Sequence, residues 1–156
     1  PYGEYSNRVI NVLDSHGFVA AFGQHSGAMA PEKSPFALPR FPITEQFADS
    51  ERFELAVNAL PLVISDRTPA DNALDVAKPQ IGFTVAEAMG SIARLTCFAT
   101  GQGQLSLTKI GRRVELRLTD PFEPGRARVN CTLPLAAAPG EEPSRWRWLG
   151  MNFYLP

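Results

Sequence analysis

Apolar positions follow two different rhythms along this chain. In the segment EYSNRVINVLDSHG (4–17), Val9, Ile10, Val12 and Leu13 form one stripe at helical spacing, with Ser6 or Asn7 available as N-cap and Gly17 just past the end. The spacing predicts a short amphipathic helix. FVAAF (18–22) follows as a compact apolar run, and GQHSG (23–27) as a polar turn bracketed by glycine. Helix, strand and loop in that order predict an α/β layer, in which chemistry tends to sit on the loop at the strand's C-terminal end. Pro31, Pro35, Pro39 and Pro42 exclude long regular elements from the next stretch, which is a connecting segment. SERFELAVNAL (50–60) then spaces Phe53, Val57 and Leu60 by four and three, with Ser50 as N-cap. It predicts a second helix that Pro61 ends.

Beyond Leu62 the period shortens. LVIS (62–65), IGFTV (81–85), RLTCFAT (94–100), QLSLTKI (104–110), RVELRL (113–118), RARVNCTL (126–133) and WRWLGMNFYL (146–155) are separated by Gly, Pro and Asp. Alternation places Leu105 and Leu107, and likewise Val114, Leu116 and Leu118, on single faces, with Gly111-Arg112 as a tight hairpin between them. Seven short strands at this rhythm predict an antiparallel β-sandwich.

Composition narrows the function classes. In 156 residues, 15 Lys plus Arg against 16 Asp plus Glu leave a net charge of -1, so no global basic field attracts nucleic acid. No run reaches the roughly 18 apolar residues of a membrane helix. The chain opens on Pro1 and reads from the outset like the middle of a fold, so it is expected to be the C-terminal piece of a longer protein. With His16 and His25 as the only histidines and no His-x-x-x-His or Cys-x-x-Cys spacing, no self-contained metal site is expected. Cys97 and Cys131 lie in two predicted strands. They are either a bridge, which would stabilise the domain by about 3 to 4 kcal/mol in the chain-entropy model, or two reduced cysteines buried as small hydrophobes.

Pro1-Tyr2-Gly3-Glu4-Tyr5 is a Pro-aromatic-Gly turn that presents a backbone N–H and a ring, which suits a carbonyl oxygen or a sugar face at a pocket rim. PYGEYS, a helix ending at HGFVAAFGQHSGAM, and ALPRFPI (37–43) together resemble the C-terminal half of the polysaccharide deacetylase domain of carbohydrate esterase family 4, in the branch of the poly-N-acetylglucosamine deacetylases. PYG resembles the family's third motif, and GFVAAFGQHSG occupies the region of its fourth. The resemblance covers residues 1–45 by motif. The later CFATGQG, GRARVNCTLP and Trp-rich end resemble the sandwich appended to the barrel in some bacterial members.

The resemblance implies an α+β chain: residues 1–60 as the C-terminal part of a distorted (β/α) barrel, and residues 61–156 as an accessory antiparallel β-sandwich. It implies hydrolysis of N-acetyl groups from an amino-sugar polymer in an extracytoplasmic setting, where the Cys97–Cys131 bridge would form. In the family a divalent metal, expected to be zinc, is held by one Asp and two His, with a second Asp as general base and a His as general acid. Those ligands precede PYG, so this chain is expected to bind no metal and to be inactive alone. Its implied partners are the N-acetylated polysaccharide and the missing N-terminal half of the barrel, with no nucleic acid and no membrane span.

Four residues carry the site expectations. His25 is the candidate for the general acid that most members supply from a Leu-x-His motif, although the Leu is absent and the branch most resembled places this acid near the domain's N-terminus; a local loop contact is the alternative. Tyr2 and Gly3 are expected at the substrate groove. Arg40, between Pro39 and Pro42, is expected in a semi-buried pairing that orients a carboxylate from the missing half, against the alternative of a surface charge. His16 reads as structural at a helix C-terminus, and Asn130-Cys131-Thr132 is assigned no role. Trp146 and Trp148 share one strand face and are read as core-packing residues of the sandwich, with sugar stacking as the alternative. A non-catalytic sandwich that binds polysaccharide or buttresses the barrel is the competing function. Because a truncated barrel leaves strand edges unpaired, residues 1–45 are expected to pack on the sandwich or a partner, or else to be poorly ordered.

Overall fold

The computed structural model describes residues 3–30, 34–45, 48–135 and 145–156. Two helices, α1 (Asn7–Ser15) and α2 (Ser50–Asn58), precede nine strands: β1 (Leu60–Pro61), β2 (Ile64–Thr68), β3 (Ile81–Val85), β4 (Thr96–Ala99), β5 (Gly103–Gln104), β6 (Ser106–Ile110), β7 (Arg113–Arg117), β8 (Gly125–Pro134) and β9 (Trp146–Leu155). The strands form a five-stranded sheet, β1-β9-β8-β4-β5, and a four-stranded sheet, β2-β3-β7-β6. Every pairing is antiparallel except that of β1 with β9. The expected boundary between residues 60 and 61 falls inside β1, within the larger sheet.

Alternation builds the sandwich core. Ile81, Phe83 and Val85 of β3 and Val114 and Leu116 of β7 are buried in one sheet; Cys97, Val129, Cys131, Met151 and Phe153 are buried in the other. Leu105 and Leu118 join them, as the alternating pattern predicts. The hairpin between β6 and β7 turns at Gly111, whose φ of 58° a glycine adopts without strain. Cys97 and Cys131 are disulfide-bonded with their Cα atoms 4.0 Å apart. They are directly paired residues on β4 and β8, so the bridge ties neighbouring strands of one sheet and does not clamp the two sheets together.

The described residues ahead of β1 lie as a layer on the outer face of the larger sheet. The chain crosses β9 at Gly150, where a Cβ would overlap the Ser26 backbone, and Gly27 bridges to Leu149. Ser26 Oγ donates to Asn130 Oδ1 (2.7 Å) and accepts from Trp148 Nε1 (2.9 Å), while Glu4 pairs with Arg126. Trp148 also meets Phe41 edge-on, and the Arg52 guanidinium sits over both rings. Its packing partner is therefore this layer, not the sandwich interior.

Three local expectations change. FVAAF forms no extended strand: residues 21–23 exchange hydrogen bonds with Pro35 and Leu38 through a single parallel bridge, Phe22 to Leu38. A strand needs a continuous neighbour, and none of the described residues supplies one. The N-cap of α2 is Asp49, whose carboxylate accepts from the Arg52 N–H (2.7 Å), one residue before the expected Ser50. That helix also turns Phe53 and Val57 outward, because Arg52 takes the side that meets Phe41 and Trp148. α1 starts at the Ser6 cap and ends at His16, whose Nδ1 lies 2.8 Å from the Val12 carbonyl, a structural role as expected. No described helix is long and apolar enough to cross a membrane.

Candidate functional site

Where the N-terminal layer meets β2 there is a cavity of about 670 Å³, lined among others by Tyr5, His25, Ser26, Arg67, Asn72 and Trp148. Its outer wall comes from the turn ahead of α1 and from the loop after residue 22. Gly3 has a φ of 74°, and a Cβ there would come within 2.9 Å of the Gln24 N, so both backbone conformation and space demand glycine. This contact brings the opening turn against the GQHSG loop. The Tyr5 ring then faces the His25 imidazole at 5.8 Å between centroids. Arg40 braces the loop from outside the lining: its backbone N–H donates to the His25 carbonyl (3.1 Å) and its Nε to the Gly23 carbonyl (3.1 Å).

The inner wall comes from an irregular strand. Between Ser65 and Thr68 the pairing of β2 with β3 slips, and Asp66 takes a φ of 49°. Arg113 secures this bulge by donating to the Asp66 carbonyl (2.5 Å) and to Thr68 Oγ1 (3.3 Å). A bulge re-aims the side chain that follows it, and Arg67 here joins the cavity lining. Asp71 accepts from the N–H groups of Asn7, Asn72 and Ala73, which fixes the start of α1 over the loop that carries Asn72.

Electrostatics follow from burial. His25 is 9% exposed, and its pKa falls to about 4, first because burial penalises the imidazolium and then because Arg67 repels it; a hydrogen bond to the Ala37 backbone opposes this. At neutral pH the ring is neutral. A general acid must hold its proton at the working pH, so His25 is suited to orienting a ligand or accepting a hydrogen bond rather than to standing proton donation. Burial likewise lowers the pKa of Arg67, against the pull of Tyr5 and Asp71, and the guanidinium stays charged.

Of the residues singled out in the sequence, Gly3, His25 and Arg40 are brought together, Tyr2 lies outside the described residues, and Cys97–Cys131 is remote in the sandwich. Arg40 is exposed, and no described carboxylate pairs with it; its partners are the backbone carbonyls of Gly23 and His25. Sequence reasoning missed Tyr5, Arg67 and Asn72. The signal available was Asp66-Arg67-Thr68-Pro69, a charged pair running into proline directly after an apolar strand, which marks a break in pairing. Among the described residues no group of three His, Cys, Asp or Glu side chains gathers as a metal cage. His25 is the one imidazole at the cavity and it faces a guanidinium, so this donor set does not fit a divalent cation. The chain matches no family model, no curated protein and no solved structure.

Proposed function

We propose that this chain forms one wall of the substrate cleft of an extracytoplasmic, metal-dependent polysaccharide deacetylase of the carbohydrate esterase family 4 type. The observation that supports the reading is the meeting of Gly3 with Gln24 and of Arg40 with Gly23 and His25, which joins three motif-like strings from separate stretches of the first 43 residues. The apolar positions Val9, Val12, Phe18, Val19, Phe22, Phe53 and Val57, all exposed on the same layer, support a further protein surface against it. The disulfide is compatible with an oxidising compartment. The divalent ion that this activity requires, with zinc expected, has no cage among the described residues. The contribution of this chain is the shape of the rim, the backbone groups of the Gly3 turn and the neutral imidazole of His25.

Acetate release from poly-N-acetylglucosamine tests the reading, using the protein extended by whatever its gene encodes before Pro1 and loaded with zinc. The extended protein is expected to release acetate and the 156-residue chain to release none. An extended protein that neither binds zinc nor releases acetate overturns the assignment.

The competing role for the sandwich, as a buttress, is favoured by one observation: Trp148 is held by Ser26, Phe41 and Arg52, so its ring is committed to the layer above it. Trp148→Ala is expected to speed amide exchange in residues 21–27 and to leave retention on insoluble chitin unchanged. Lost retention with unchanged exchange would make the strand a glycan binder instead.

A further inference from the structure

The inner wall of the cavity has chemistry of its own, independent of the deacetylase reading. Arg67 is half-buried, yet among the described residues its guanidinium makes one hydrogen bond, to the Ala70 carbonyl (2.9 Å), and no ion pair. Tyr5 and Asp71 pull on this guanidinium without closing an ion pair, so its planar fork keeps donors that a carboxylate would meet. The fold holds it there at the cost of a left-handed Asp66 and a slipped strand register, secured by Arg113. Across the same cavity Asn72 is 4% exposed with its Oδ1 unpartnered, a buried acceptor that a ligand hydroxyl would satisfy. His25 Nδ1 is also buried and unpartnered, although its ring edge rests on Gly23, where a Cβ would come within 2.6 Å of that nitrogen.

We propose that the chamber between Tyr5, His25, Arg67 and Asn72 binds a hydroxylated monocarboxylate of sugar-acid type, with the carboxylate on Arg67 and a hydroxyl on Asn72 Oδ1. The volume of about 670 Å³ accommodates one or two sugar rings. The charge balance limits the anion. Among the described lining residues Arg67 is the cation; the Asp66 carboxylate is exposed and accepts from the Ser65 hydroxyl, and the nearby Asp71 carboxylate accepts from the N–H groups of Asn7, Asn72 and Ala73. A dianionic phosphate would meet about twice the repulsion from these two carboxylates that a single carboxylate meets.

Nuclear magnetic resonance titration of the chain with sodium D-glucuronate tests this, with D-glucose and inorganic phosphate as comparison probes. Glucuronate is expected to shift the Arg67 side-chain and Tyr5 signals saturably, with a Kd on the order of 1 mM. Glucose and phosphate are each expected to bind about tenfold more weakly, and Arg67→Gln to weaken glucuronate about tenfold. Arg67→Lys, which keeps the charge without the fork, is expected to fall between, and it carries the comparison if the Gln variant loses its dispersed spectrum. Absence of saturable shifts overturns the proposal, as does glucose binding as tightly as glucuronate, or phosphate binding more tightly. None of these outcomes depends on acetate release, so the site and the deacetylase assignment fail separately.

Discussion

The sandwich and the layer on its outer face answer the same physical demand in opposite ways. Of the buried hydrophobic residues, Phe36 is the single member contributed by the described residues of the first sixty positions, and neither helix buries a residue. The strands from β3 onward bury theirs in one continuous cluster. Conversely Phe18, Val19, Phe22, Met29, Phe53 and Val57 are more than half exposed in the layer. The sandwich closes its own hydrophobic interior, whereas the layer is held down by polar and aromatic clasps at Glu4, Ser26, Arg52 and Trp148. A region fixed by clasps opens locally, while one fixed by a core opens with the whole domain.

Truncating the core breaks this contrast most severely if it is wrong. Phe83 is fully buried in the middle of the four-stranded sheet, and Phe83→Ala is expected to cost about 3–5 kcal/mol. Urea unfolding checks it; a loss as small as that of a surface substitution would deny the sandwich its central role. Removing the disulfide with Cys97→Ala and Cys131→Ala comes next, at about 3–4 kcal/mol for a loop of 34 residues. The same unfolding series reads it, and the layer's amide exchange, set by local opening, is expected to stay unchanged.

How much was legible in the sequence follows the same division. RVELRL and QLSLTKI announce their strands because each has a partner two residues away through Gly111, so alternation and pairing agree locally. FVAAF carries an equally apolar signal and forms a single bridge, because a parallel strand depends on distant neighbours that no local pattern encodes. The candidate site divides likewise. Gly3, His25 and Arg40 sit in short motif-like strings, whereas Arg67 reaches the cavity through a bulge fixed by Arg113, nearly fifty positions later. The face of α2 was misjudged because Arg52, polar by type, finds aromatic partners at Phe41 and Trp148.

The titration of His25 sharpens the comparison from the layer's side. The imidazole ordinarily titrates at 6.5 and in the fold at about 4. Between those values the unfolded chain binds the proton and the folded chain does not. Its stabilisation is therefore complete above pH 6.5, is lost as the pH falls, and amounts to about 3 kcal/mol by the time both states are protonated. Urea unfolding of the native chain and of His25→Gln from pH 7 to pH 4 isolates this contribution as the difference between two curves. Parallel curves would mean that the ring is solvated. Gly150→Ala acts on the same junction without charge: its Cβ would overlap the Ser26 backbone, so the layer is expected to lift at a cost of about 1–3 kcal/mol. Faster amide exchange in residues 21–27 with unchanged protection of β3 and β7 is the expected signature. Equal loosening of both would make layer and sandwich one cooperative unit.

The smallest effect is the most discriminating. Val19 is 89% exposed, so its methyl groups are already in water and Val19→Ser removes nothing from an interior. The substitution is expected to change the stability of this chain by less than about 0.5 kcal/mol, and Phe53→Ser, whose ring is 58% exposed, by about 1 kcal/mol. If a further protein surface covers the layer in an N-terminally extended protein, the same two changes there would each remove more buried apolar area and would cost about 1–3 kcal/mol. Measuring each substitution in both lengths separates a solvated patch from an interface. A loss of several kcal/mol in the short chain would place these side chains in a core of their own and erase the distinction between clasped layer and packed sandwich.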